Sequence, residues 1–336
     1  MTPLGAVREV PITMYRRSFL GAAAGLLTSG AFACTSHPLA GPVGLGSPLD
    51  AAAFHRSRQF AATLFGRIAY VERGTGPAAL FLHGLPLNGF HWRGALDRLS
   101  GIRRCVAPDL MGLGYTEVAD GQRLAPEAQA EMCAALLDTL GITAVDLVAN
   151  DSGGAVAQVF VARFPARVRT LMLTNCDVHD DSPPPPLLPL IAAARAGTFA
   201  DDDLAPQLAD KAIGRAKLGN IAYTDPARLA DETIDCYLAP LLSSPRRKAQ
   251  LHAYIVALER NPLRAIEPAL QRCDVPLRVV WGTGDTIFDP SGPDWLHRTF
   301  RRSLGVRRLE GAKAFFSEEM PDVIADEARR LWRSVG

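Results

Sequence analysis

The stretch LVANDSGGAVAQ, residues 147–158, sets an acid and an alcohol side by side, Asp151 and Ser152, ahead of two glycines. Either side chain is a nucleophile once activated. A serine attacks a carbonyl; a carboxylate attacks a saturated carbon and leaves an ester that water can cleave. The flanking pattern discriminates between them. AVDLVAN is an apolar run of strand length and GGAVAQVFVARF a helical one, so the pair sits at a sharp strand-to-helix turn. The backbone is cramped at such a turn and needs small residues two before and two after the nucleophile. Asp151 has Ala149 and Gly153 in those places, whereas Ser152 has Asn150 before it. The register selects Asp151. The competing reading is structural: an Asp or Ser ahead of a helix caps its first N–H groups.

Other segments converge on the same point. FLHGLP ends a strand, and the turn His83-Gly84-Leu85-Pro86 can aim the Leu85 N–H at the elbow, where the Ser152 N–H would complete an oxyanion hole. APDLMGLGYT forms a further turn after the next strand. VVWGTGDTIFD ends another, with Asp285 placed as the acid of a triad. His179, just past the strand TLMLTNCD, is the histidine best placed to reach Asp151 as base. His252 and His297 lie in helical stretches, and His83 belongs to the oxyanion turn.

These turns need a sheet to hold them. RIAYVE, AALFLH, RCVAPD, AVDLVAN, VRTLMLTN, PLRVVWG and GVRRLEG read as strands and alternate with helical patterns. Continuous apolar strands between helices imply a parallel sheet covered on both faces. Residues 178–265 break the rhythm. A Pro-rich hinge, HDDSPPPPLLPLI, leads into helical segments that read as a lid over the C-terminal strand ends, where open α/β sheets bind ligands.

The composition, 48% hydrophobic and 21% charged with net charge +1, fits a globular chain with a sizeable core and provides no bulk field for nucleic acid or an anionic surface. The expected partner is a small molecule. Cysteines 105, 133, 176, 236 and 273 have no metal spacing, and no metal or cofactor motif is present.

HGLP, PDLMGLGYT, NDSGG and WGTGD, in this order and covering roughly residues 60–336, resemble the α/β-hydrolase superfamily, within it the branch of haloalkane dehalogenases and epoxide hydrolases. The resemblance implies a mostly parallel sheet of about eight strands with a helical lid insertion, a hydrolase, Asp151 as nucleophile, Asp285 as triad acid, and Leu85 and Ser152 as oxyanion donors. The substrate expected is small and largely apolar, of epoxide, ester or halide type. The chain departs from the branch where the base histidine belongs. In EGAKAFFSEEMP, aligned on Gly311-Ala312 and Glu318-Glu319, that position is Ala314. The Trp and Asn that hold a halide in dehalogenases are replaced by Ser152 and Leu85, which disfavours dehalogenation. Lid tyrosines protonate the opening oxygen in epoxide hydrolases, and Tyr223, Tyr237 and Tyr254 are available for comparison. A lyase or isomerase using Asp151 as acid and base, or a ligand-binding member without turnover, are the alternatives.

The N-terminus reads as an export signal. Arg16 and Arg17 precede Ser-Phe-Leu, an apolar run follows, and Ala31-Phe32-Ala33 offers a cleavage site, the pattern of a twin-arginine signal. The expected organisation is a signal over 1–33, a linker over 34–58 and the hydrolase domain over 59–336. The expected location is periplasmic or otherwise extracytoplasmic. Membrane attachment enters only through lipidation of Cys34.

Overall fold

A computed structural model describes residues 49–335; the signal reading and Cys34 lie outside the described residues. Eight strands form one sheet: β1 (Arg58–Thr63), β2 (Gly66–Arg73), β3 (Ala78–Leu82), β4 (Arg104–Pro108), β5 (Val145–Asp151), β6 (Val168–Cys176), β7 (Leu277–Gly282) and β8 (Ser303–Leu309). Their order is β1-β2-β4-β3-β5-β6-β7-β8. β2 runs against both its neighbours, and the pairs from β4 to β8 are parallel. The central strands β3 and β5 are buried at every residue, which is why they read as unbroken apolar runs. β1 has no such run. It is an edge strand with only Ala61 buried, held by its ladder to β2.

Helices cover both faces. Helix α2 (Arg93–Leu99) packs with the C-terminal helix Pro321–Arg333. α3 (Pro126–Thr139) packs on α4 (Ser152–Arg163), which also meets the helix Leu263–Arg272. The short α1 (Ala51–Arg56) lies within the stretch expected as linker. Asp50 caps it, and Phe54 is buried edge-on against Phe90 with ring centroids 5.3 Å apart, so this segment belongs to the core.

Between β6 and β7 the chain forms the lid. Its main helices are Leu188–Ala196, Asp231–Leu242 and Pro245–Ala257. It is tied down at several points. Asn88 Nδ2 donates to the Cys236 carbonyl at 2.7 Å, Arg247 donates to the carbonyls of Leu113, Gly114 and Thr116, and the Phe315 N–H bonds the Ala222 carbonyl. The strongest tie is a buried carboxylate. Glu318 pairs with Arg93 at 2.8 Å and accepts from the hydroxyls of Tyr223 and Tyr237 at 2.6 and 2.7 Å. Among the described residues no helix is long and apolar enough to cross a membrane. The five described cysteines are free thiols, four of them buried.

Candidate active site

Asp151 ends β5 with φ 55° and ψ −139°, a backbone conformation that side chains rarely adopt. Such a conformation costs about 1–3 kcal/mol, borne by the packing of the sheet around it. The sharp turn throws the carboxyl toward the C-terminal edge and brings the backbone against its neighbours. A Cβ on Gly153 would lie 2.4 Å from the His83 carbonyl oxygen, and one on Gly84 would lie 2.0 Å from Asp151 Oδ1. Both positions therefore require glycine.

The Asp151 carboxyl is buried, and its Oδ1 accepts two backbone hydrogens, from Leu85 N at 2.9 Å and from Ser152 N at 2.6 Å. These are the two donors expected for an oxyanion hole. Burial pushes the Asp151 carboxyl above its usual range, and the hydrogen bonds from Ser152 and Leu85 pull in the opposite sense. The turn that carries Leu85 is pinned by His83. Its Nδ1 bonds the Gly84 carbonyl at 2.9 Å while its Nε2 accepts from Leu110 N at 3.0 Å. Burial holds this imidazole down at about 3, so it is neutral and fully occupied.

The Ser152 side chain is engaged by the lid. Its hydroxyl bonds the Tyr254 hydroxyl of the lid at 2.9 Å. Of the three lid tyrosines, Tyr223 and Tyr237 are committed to Glu318, and only Tyr254 comes next to the elbow.

Above the elbow lies a cavity of about 360 Å³ under the lid. It is lined by Asp151 and Ser152 of the elbow, Leu85 and Pro86 of the turn after β3, and lid residues such as Leu187, Leu190 and Phe199. The walls are mostly apolar. No tryptophan or histidine of the described residues lines it. Asp177 does; it is a buried carboxyl at the end of β6 that the sequence reading passed over. The signal for it was its place, one residue beyond the strand beside the elbow.

The structure brings Asp285 beside the cavity without lining it. Its Oδ2 accepts from Asn175 Nδ2 at 2.7 Å and its Oδ1 from Ile287 N at 2.8 Å; the following residues Ile287 and Phe288 form part of the wall. Burial raises its carboxyl, opposed by those hydrogen bonds, with the Asp151 charge adding to the rise. The two acids sense each other, and among the described residues no histidine hydrogen-bonds either carboxyl. Ala314 is fully buried, its carbonyl accepts from Asn150 Nδ2 at 2.9 Å, and the adjacent Phe315 turns its ring to the cavity.

His179 is not brought to Asp151. A tight turn, Val178 to Asp181, puts His179 at φ 47° and directs its ring away from the cavity. The ring stacks on Trp295 at 4.7 Å, with Nε2 3.1 Å from Glu267 and Nδ1 3.4 Å from Asp180. His91 is nearer the elbow, but its Nε2 bonds Ser317 Oγ at 2.7 Å and its Nδ1 faces Glu318 at 3.6 Å. His252 accepts from Ala200 N and His297 bonds Ser303, and neither lines the cavity.

The chain is similar to known proteins. The family described as alpha/beta hydrolase fold matches residues 77–319. Haloalkane dehalogenase 2 of Mycobacterium tuberculosis (strain ATCC 25618 / H37Rv) is 33% identical over 264 residues, 77% of this chain and 89% of that protein. Epoxide hydrolase 2 of Siraitia grosvenorii is 40% identical over 115 residues, 32% of this chain and 34% of its own. The solved structure of a thermophilic esterase from Thermogutta terrifontis, with malate bound, has a TM-score of 0.68 at 24% identity and covers 83% of this chain and 98% of its own, a likeness of fold. The elbow, the eight-stranded sheet and these matches together identify the chain as a hydrolase of the α/β-hydrolase fold family, in its haloalkane dehalogenase and epoxide hydrolase-like branch.

Proposed function

We propose that the protein hydrolyses a small, largely apolar epoxide through an ester on Asp151. One observation carries the reading: a buried carboxylate at the base of an apolar cavity with one oxygen held by two backbone amides. Both amides go to Oδ1, which assigns Oδ2 to attack on carbon. Oδ2 displaces the ring oxygen, the C–O bond breaks, and the alkoxide takes a proton. Water then adds to the ester carbonyl. The charge that develops on Oδ1 falls on the Leu85 and Ser152 N–H groups already aimed at it, a stabilisation of about 3–4 kcal/mol per donor in comparable sites. Collapse releases the diol and restores the carboxylate.

A halide leaving group is less well served, because the cavity presents no tryptophan N–H and the Leu85 and Ser152 amides are already engaged by Asp151. Serine esterase chemistry is disfavoured because the Ser152 hydroxyl is turned to Tyr254. The test is mass spectrometry of the peptide holding Asp151 after single turnover of styrene oxide in ¹⁸O-water. Label entering the Asp151 carboxylate supports the reading. Asp151→Asn should abolish turnover, and Ser152→Ala should keep at least about a tenth of it. Full activity in Asp151→Asn overturns it. The absence of an imidazole from the cavity wall favours one second reading, in which Asp151 acts as acid and base in a lyase or isomerase. In that case Asp151→Asn is inactive but no label enters the carboxylate.

A further inference from the structure

Asp151 pairs across the sheet with Cys176, and Asp177 follows at once. Adjacent strands stand about 4.8 Å apart, so two acids occupy neighbouring strand ends, and both line the same cavity. Asp177 is 5% exposed. Asp151 on the elbow, Asp181 in the turn that follows, Tyr254 from the lid and the Cys176 thiol beside it are all acids or neutral, and the cation that lines the same cavity, Lys217, is paired with Asp203 at 3.0 Å. No cation is among the largest influences on its carboxyl, and Ser182 draws it downward. Burial, then the charge of Asp151, pushes the Asp177 carboxyl well above the usual range. Asp151, with two amides on one oxygen, is the member of the pair that ionises.

We propose that Asp177 is the proton donor and then the base of this site, doing the work of the imidazole absent at Ala314; this rests on the ester reading above. In the first step Asp151 Oδ2 bonds to a ring carbon, the C–O bond breaks, and its electron pair takes the proton of Asp177. The products are a neutral alkyl ester and an Asp177 carboxylate. Esterification removes the negative charge that kept Asp177 protonated, so the first step itself prepares the base. In the second step water adds to the ester carbonyl while Asp177 takes its proton. The ester then collapses and the leaving alkoxide is protonated as the diol departs, with the water's second proton balancing it. Asp151 is again a carboxylate, and Asp177 is again protonated. Epoxide and water give diol, with no other reactant.

The experiment uses two substrates with Asp177→Asn. Styrene oxide needs a proton on its leaving oxygen, and 1-bromobutane needs none. The amide resembles the neutral acid, so folding should be preserved. With 1-bromobutane, ester should form on Asp151 within about threefold of the wild-type rate and then persist at least about a hundredfold longer, the scale of a lost general base. With styrene oxide, ester formation itself should slow by about a hundredfold or more. Asp177→Glu should recover part of both steps. Ester hydrolysis in Asp177→Asn within about threefold of wild type overturns the base role. Unchanged epoxide opening overturns the acid role, as does loss of that step in Tyr254→Phe alone. If Asp177→Asn does not fold, the wild-type steps decide: ring opening should decline as pH rises and ester hydrolysis as pH falls, and two flat profiles overturn the proposal. Wild-type turnover with no ester on Asp151 from either substrate overturns the parent reading, and this one with it.

Discussion

Glu318→Gln should loosen the lid and destabilise the fold by about 3 kcal/mol. Glu318 is buried where three segments meet: the start of α2 that supplies Arg93, the lid that supplies Tyr223 and Tyr237, and the segment after β8. Burial alone would raise its carboxyl. The Arg93 guanidinium, His91 and the Tyr223 hydroxyl overcome that and hold it down at about 2, against an ordinary 4.5. At ~1.4 kcal/mol per tenfold change in proton affinity, this difference is worth about 3 kcal/mol at neutral pH. A second route agrees: breaking a buried ion pair by removing one partner costs about 3–5 kcal/mol. The amide also brings two hydrogens into a pocket already filled by donors. Because the folded carboxyl binds its proton more weakly than the unfolded one, the contribution is complete above about pH 4.5 and is lost as the pH falls toward 2. Equilibrium urea unfolding of wild type and variant, repeated from about pH 7 to pH 3, measures both features. A gap below about 1 kcal/mol at neutral pH, or one that does not narrow as the solution is acidified, refutes the argument that this carboxylate carries the lid.

Other substitutions test the site. Gly84→Ala would set a Cβ 2.0 Å from Asp151 Oδ1; it should displace the carboxylate from its amides and cut ester formation on Asp151 by about a hundredfold or more, the scale of a lost oxyanion contact. His179→Ala should leave turnover within about twofold, because the ring serves Trp295 and Glu267; a loss on the scale of about 10²–10⁴ would return it to the role of base. Ala314→His should place an imidazole between Asp285 and the elbow and speed ester hydrolysis at least about tenfold, at a cost of about 1–3 kcal/mol for overpacking a buried position. Single-turnover adduct decay and thermal unfolding read both effects.

The elbow was legible because its constraint is local. A sharp strand-to-helix turn excludes large side chains two residues either side of its central residue, and that exclusion is written in Ala149 and Gly153 around Asp151. The central strands were legible because burial on both faces demands unbroken apolar runs. β1 and α1 were missed because an edge strand with one buried residue and a helix anchored by one phenylalanine have no comparable pattern.

What the sequence by itself determined is therefore the fold family, the place of Asp151 at the elbow, the two amides that bond it and the lack of a histidine at Ala314. Each is a matter of residue type at fixed spacing along the chain. Only the tertiary structure decided which distant groups share the cavity. A tight turn carries His179 outward to Trp295, while Asp177, two residues earlier, stays on the strand end facing Asp151. The same applies to the lid: Tyr223 and Tyr237 look free in sequence until Glu318, some eighty to ninety-five residues away, takes their hydroxyls. Direction across a sheet edge and pairing between segments are set by packing, and sequence spacing does not encode them.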